Sequence, residues 1–116
     1  MSFISFVLMF SLASFANEKE SIRKAIHVNL KEVQACHAKA AKTTSGLDGK
    51  VVVRWDINSK GKAKDIRIVE KSSTLNDATL NACMVERIST WKFPKSKKLT
   101  LTEATYPFVF HKGKVK

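Results

Sequence analysis

Residues 76–94, NDATLNACMVERISTWKFP, constrain the fold more than any other stretch of this chain. Leu80, Met84, Ile88 and Trp91 recur at helical spacing, with Cys83 beside them. Asn76 or Asp77 is placed to cap that helix through a side-chain oxygen. The exit Trp91-Lys92-Phe93-Pro94 ends it, because proline cannot continue a helix. A hairpin pattern precedes this stretch and an aromatic strand pattern follows it. A helix so placed is a crossover that returns the chain to the sheet begun by the hairpin.

The hairpin is written in alternation. Val51, Val53, Trp55 and Ile57 share one parity, and Arg54 and Asp56 share the other. Asn58-Ser59-Lys60-Gly61 forms the turn. Residues 62–70 alternate again with Ile66 and Ile68 on one side. Pairing Ile57 with Lys62 would set Val53 opposite Ile66 and Val51 opposite Ile68, with both apolar sets on one face. The other face carries Arg54, Asp56, Asp65 and Arg67, a pattern suited to cross-strand ion pairs. The last strand pattern spans residues 99–110. Leu99 and Leu101 hold one parity, while Tyr106, Phe108 and Phe110 hold the other, so a bulge is expected near residues 103–105. Pro107 lies inside the run and marks a sheet edge, since proline has no N–H for a ladder. The tail, residues 111–116, is expected to fray.

Upstream, residues 21 to about 42 predict one amphipathic helix. Ile22, Ile26, Leu30, Val33, Cys36 and Ala40 fall on one face. The predicted fold is therefore an α+β two-layer sandwich in the order helix-strand-strand-helix-strand. Its three-stranded antiparallel sheet has strand order 2-1-3, with two helices on one face.

No charged side chain precedes Glu18. The apolar run there is shorter than the roughly 20 residues of a membrane span and fits the apolar region of a secretory signal. Ser14-Phe15-Ala16 supplies a cleavage site, giving a signal over residues 1–16 and a mature domain over 17–116. No Lys or Arg precedes the run, which leaves a retained anchor as the alternative. Export places the chain in the periplasm or outside the cell. There Cys36 and Cys83 are expected to form a disulfide between the two helices. In a reducing compartment they would be two buried thiols.

The ordered pieces Val33-Gln34-Ala35-Cys36, residues 49–55 (GKVVVRW), residues 65–70 (DIRIVE), Leu80-Asn81-Ala82-Cys83, Trp91-Lys92-Phe93-Pro94 and residues 106–110 (YPFVF) resemble the TonB C-terminal domain superfamily. Within it they are most similar to the subgroup called the AgmX/PglI C-terminal domain. The resemblance runs from about Ile22 to Phe110. It implies an envelope binding domain without a catalytic centre, one that takes up a short peptide of a partner as an extra strand. A membrane anchor and Pro-rich stalk carry the domain in TonB-like proteins. This sequence shows no Pro-rich stretch, so a free-standing binding domain is expected rather than an energy transducer.

The residues themselves point the same way. The last strand is the expected docking edge, through Thr105, Tyr106, Phe108, Val109 and Phe110. The partner is then an envelope protein or peptide segment, and a dimer through the same edge is an alternative. A formal net charge of +11 supports a second reading, an electrostatic binder of anionic lipid headgroups or glycans. Lys95, Lys97, Lys98, Lys112, Lys114 and Lys116 would carry it. Export and the lack of a pattern of stacking aromatics disfavour nucleic acid. His37 beside Cys36 does not complete a structural metal site, which needs ligands at recognisable spacings, and reads as a half-exposed helix residue. Asp56, Asp65 and Glu70 read as surface ion-pair partners rather than acid-base pairs. No phosphate loop or Ser/His/Asp arrangement stands out. Neither catalysis nor a cofactor is expected.

Overall fold

β1, Gly49–Ile57, is the central strand of the fold and is paired on both sides. In the computed structural model, which describes residues 18–97 and 100–116, the sheet has four antiparallel strands in the order β2-β1-β3-β4. The others are β2 (Ala63–Ile68), β3 (Thr102–His111) and β4 (Lys114–Val115). Helices α1 (residues 18–28), α2 (Leu30–Ala41) and α3 (Ala78–Ser89) cover one face. The expected signal over residues 1–16 lies outside the described residues, as do Lys98 and Leu99.

Alternation in β1 sends Val51, Val53, Trp55 and Ile57 into the core, where they meet Val33, Cys36, Leu80, Met84, Ile88 and Phe108. Full burial of each such side chain is worth about 1.5–3 kcal/mol. The helix predicted over residues 21–42 is instead two helices. The Asn29 side-chain amide donates to the Ala25 carbonyl at 2.8 Å, taking the acceptor that its own backbone N–H would use. That N–H goes to Ile26, three residues back, at 3.0 Å, and the ladder breaks there.

Across the hairpin, Val53 faces Ile68 and Ile57 faces Ala63, not Ile66 and Lys62 as the alternation suggested. The register shifts between Arg54 and Asp56, and Asp65 takes a left-handed φ of 50°. Asp tolerates that conformation, and a bulge inserts one residue that alternation cannot reveal. Ion pairs do form on the open face of the sheet. Arg67 reaches Asp65 at 3.0 Å and Glu103 at 3.3 Å, and Arg54 reaches Glu103 at 3.8 Å.

Asp77, rather than Asn76, caps α3, its Oδ2 accepting from the Leu80 N–H at 2.9 Å. Beyond α3, the Phe93 N–H donates to the Gly61 carbonyl at 2.9 Å and Lys92 bridges to Lys62. The exit from α3 is thereby sewn to the β1–β2 turn. Gly61 has φ 82°, and a Cβ there would run into the Phe93 carbonyl. The cysteines join α2 to α3, Cys36 to Cys83, with Cα atoms 5.6 Å apart. Arg87 and Trp91 both contact Glu32 of α2, at 3.6 and 3.2 Å.

β3 corrects two expectations. It pairs with β1 from Gly49↔Phe110 to Ile57↔Thr102 without interruption, so no bulge lies at residues 103–105. Leu101 precedes the strand and is exposed, so its parity says nothing about the ladder. The tail does not fray: Lys112 (φ 50°) and Gly113 (φ 78°) turn it back, and Lys114–Val115 pairs with Phe110 and His111. Two positive φ values are what the tightest hairpin loops require.

Candidate functional site

In an antiparallel ladder, alternate residues aim their N–H and C=O at opposite neighbours. Val109 exchanges both of its backbone hydrogen bonds with Lys116 of the tail, at 3.0 and 3.2 Å. Val109 therefore faces away from β1, and so do Pro107, Thr105 and Glu103. The paired residues Phe108, Tyr106 and Ala104 face β1. Pro107 fits in mid-strand because its nitrogen points off the sheet, where no ladder bond is lost. Among the described residues nothing bonds the outward N–H and C=O of Glu103 and Thr105, or the C=O of Pro107.

This narrows the docking edge expected over residues 105–110. Thr105 lies on the free edge. Tyr106 and Phe108 spend their backbone on β1, and Phe108 is fully buried. Phe110 pairs with Gly49 and stacks on His37 with ring centroids 4.9 Å apart. Val109 is occupied by the tail. Glu103 and Pro107, which sequence reasoning left out, complete the free edge. The signal for them was the proline, whose permitted position fixes the parity of the outward residues.

β4 is itself closed off. The Gln34 side chain of α2 accepts from the Val115 N–H at 3.1 Å and donates to the Gly113 carbonyl. One side-chain amide thus stands where a further strand would pair. Only the edge at residues 103–107 opens to a groove, of about 670 Å³, between β3 and α1. Ile22 and Ile26 line it from the helix, with Lys19, Arg23 and Lys116 at its rim. His27 Nε2 and the Tyr106 hydroxyl, 3.2 Å apart, hold the helix to the strand.

His37, read as half-exposed, is buried, its Nε2 2.7 Å from the Leu47 carbonyl oxygen. Phe110 and Leu47, distant in sequence, close over it. Bonded to each other, Cys36 and Cys83 are not available as thiolate metal ligands. The lysines do not form one surface. Lys95 and Lys97 lie by the β1–β2 turn, where the Ser96 N–H meets the Ser59 carbonyl at 3.0 Å. Lys112, Lys114 and Lys116 lie on the tail hairpin at the far end of β1, a strand of nine residues and so about 30 Å away. Lys98 is outside the described residues.

The family model of the C-terminal domain of the Gram-negative bacterial TonB protein matches residues 39–111. The chain belongs to that family. TonB C-terminal domains are non-catalytic protein-interaction modules of the Gram-negative cell envelope. The solution structure of the Helicobacter pylori TonB C-terminal domain is similar, with 25% identity and a TM-score of 0.45 over 72% of this chain and 81% of that one. No curated protein sequence matches this chain. In this TonB C-terminal domain, both cysteines and the helix that carries Cys83 serve the scaffold, and the free part of β3 is the exposed backbone.

Proposed function

We propose that the chain is an exported binding module that captures a segment of an envelope protein by strand addition at residues 103–107. The observation that carries this reading is the unbonded outward backbone of Glu103 and Thr105 beside the α1 groove. An incoming strand satisfies those groups and covers Ile22 and Ile26 together. Residues 1–16 act as the export signal and residues 17–116 as the domain, in the periplasm or outside the cell. The AgmX/PglI subgroup remains the proposed placement within the family. Among the described residues no helix is long and apolar enough to cross a membrane.

Thr105→Pro tests the reading. It deletes the outward donor, as Pro107 already does two residues on, without removing a bond to β1. Capture of the partner from envelope extract is expected to be lost while the melting temperature changes little. Capture that survives Thr105→Pro but disappears at high salt would favour the electrostatic reading instead. A dimer through the same edge is separated from both by light scattering.

A further inference from the structure

Helix α1 runs beside the free edge as a second wall. At one end the Thr102 hydroxyl meets Glu18 Oε1 at 3.3 Å, and at the other Tyr106 meets His27 at 3.2 Å. From Glu18 to His27 a helix rises about 14 Å, and from Thr102 to Tyr106 a strand advances about 14 Å. Helix and strand therefore stay level along the whole opening. Ile22 and Ile26 form an apolar row, and Lys19 and Arg23 form a basic row next to it. In each row the step is four helical residues, about 6 Å, close to the roughly 7 Å between same-side residues of a strand. Same-side residues of an added strand thus meet successive turns of α1.

The charges on this opening are unbalanced. Lys19, Arg23 and Lys116 are exposed, and none has an acidic partner among the described residues. Glu103, the acid in the groove lining, is already held by Arg54 at 3.8 Å and Arg67 at 3.3 Å. The whole chain carries +11, which sets a second copy against itself at this edge. β4 blocks the edge from Val109 onward and so limits the length of what can pair.

Building on strand addition at β3, we infer that the captured segment is acidic and apolar and about five residues long. Apolar side chains at alternate positions rest on Ile22 and Ile26. Carboxylates at its ends face Lys19 and Arg23 on one side and Lys116 on the other. The apolar pair supplies the buried surface, and the carboxylates select this segment against neutral and basic ones.

The test uses the purified domain and three blocked pentapeptides titrated by NMR: Glu-Ile-Thr-Ile-Glu, its Gln counterpart and its Lys counterpart. The acidic peptide is expected to bind about fivefold to tenfold tighter than the Gln peptide at low salt, with the Lys peptide weakest. High salt, or the combined Lys19→Gln, Arg23→Gln and Lys116→Gln variant, should bring the ratio toward one. Equal binding of all three, with the Glu103 and Thr105 amides shifted, overturns the acidic preference and leaves strand addition standing. Failure of all three to bind, or binding that leaves those amides unmoved, overturns both.

Discussion

Replacing Gln34 with Ala should release β4 without unfolding the domain. The Gln34 amide makes two hydrogen bonds to the tail hairpin, to the Val115 N–H and the Gly113 carbonyl. Each is worth about 1 kcal/mol net, and water re-satisfies part of what is lost at this half-buried site, so local stability should fall by about 1–2 kcal/mol. The core is untouched, because Gln34 points at the tail while its neighbours Val33 and Cys36 are the buried residues of α2. Native-state hydrogen exchange reads the effect directly. The amides of Val109, Val115 and Lys116 should exchange about fivefold to thirtyfold faster. Those of Val51 and Val53, bonded within the β1–β3 ladder, should not change. Opening β4 also lengthens the free edge toward His111, so a longer peptide should bind the variant better than the parent. Unchanged exchange at Val109 and Lys116 would refute the clamp. A large drop in the global unfolding midpoint would show instead that Gln34 supports the core.

Two further outcomes follow from the scaffold. Reduction of Cys36–Cys83, or substitution of both by Ala, should lower unfolding free energy by up to about 4 kcal/mol, the loop-entropy value for a separation of 47 residues; urea unfolding with and without reductant measures it, and identical midpoints would exclude the bond in solution. Gly61→Ala places a Cβ against the Phe93 carbonyl at positive φ and should cost about 2 kcal/mol or more, seen as a lowered thermal midpoint.

Much of the scaffold was legible because burial writes itself into periodicity. The stripe Leu80, Met84, Ile88 and the alternation Val51, Val53, Trp55, Ile57 are both visible in sequence and buried in the structure. Strand order across the first three strands followed from connection lengths alone. What escaped was local geometry that periodicity averages over. Asn29 breaks a helix through one side-chain bond, and Asp65 shifts a register through one dihedral angle. A two-residue strand such as β4 is too short to show alternation, although Lys112-Gly113 was its turn signal. The docking edge was placed on the right strand but spread too far along it. Which groups remain free depends on a tail and a glutamine that meet only in the folded chain.

Pro107 also bears on how such a domain stays in solution. An open strand edge is a template on which like chains stack into fibrous assemblies. Here the template carries donors at Glu103 and Thr105, is interrupted by the proline, and is capped beyond it by β4 and Gln34. A growing stack needs an unbroken row of donors along each added strand, and this edge does not supply one. It is long enough to hold a short guest and too short to propagate, so the chain can leave backbone exposed for a partner at high concentration without nucleating aggregates of its own.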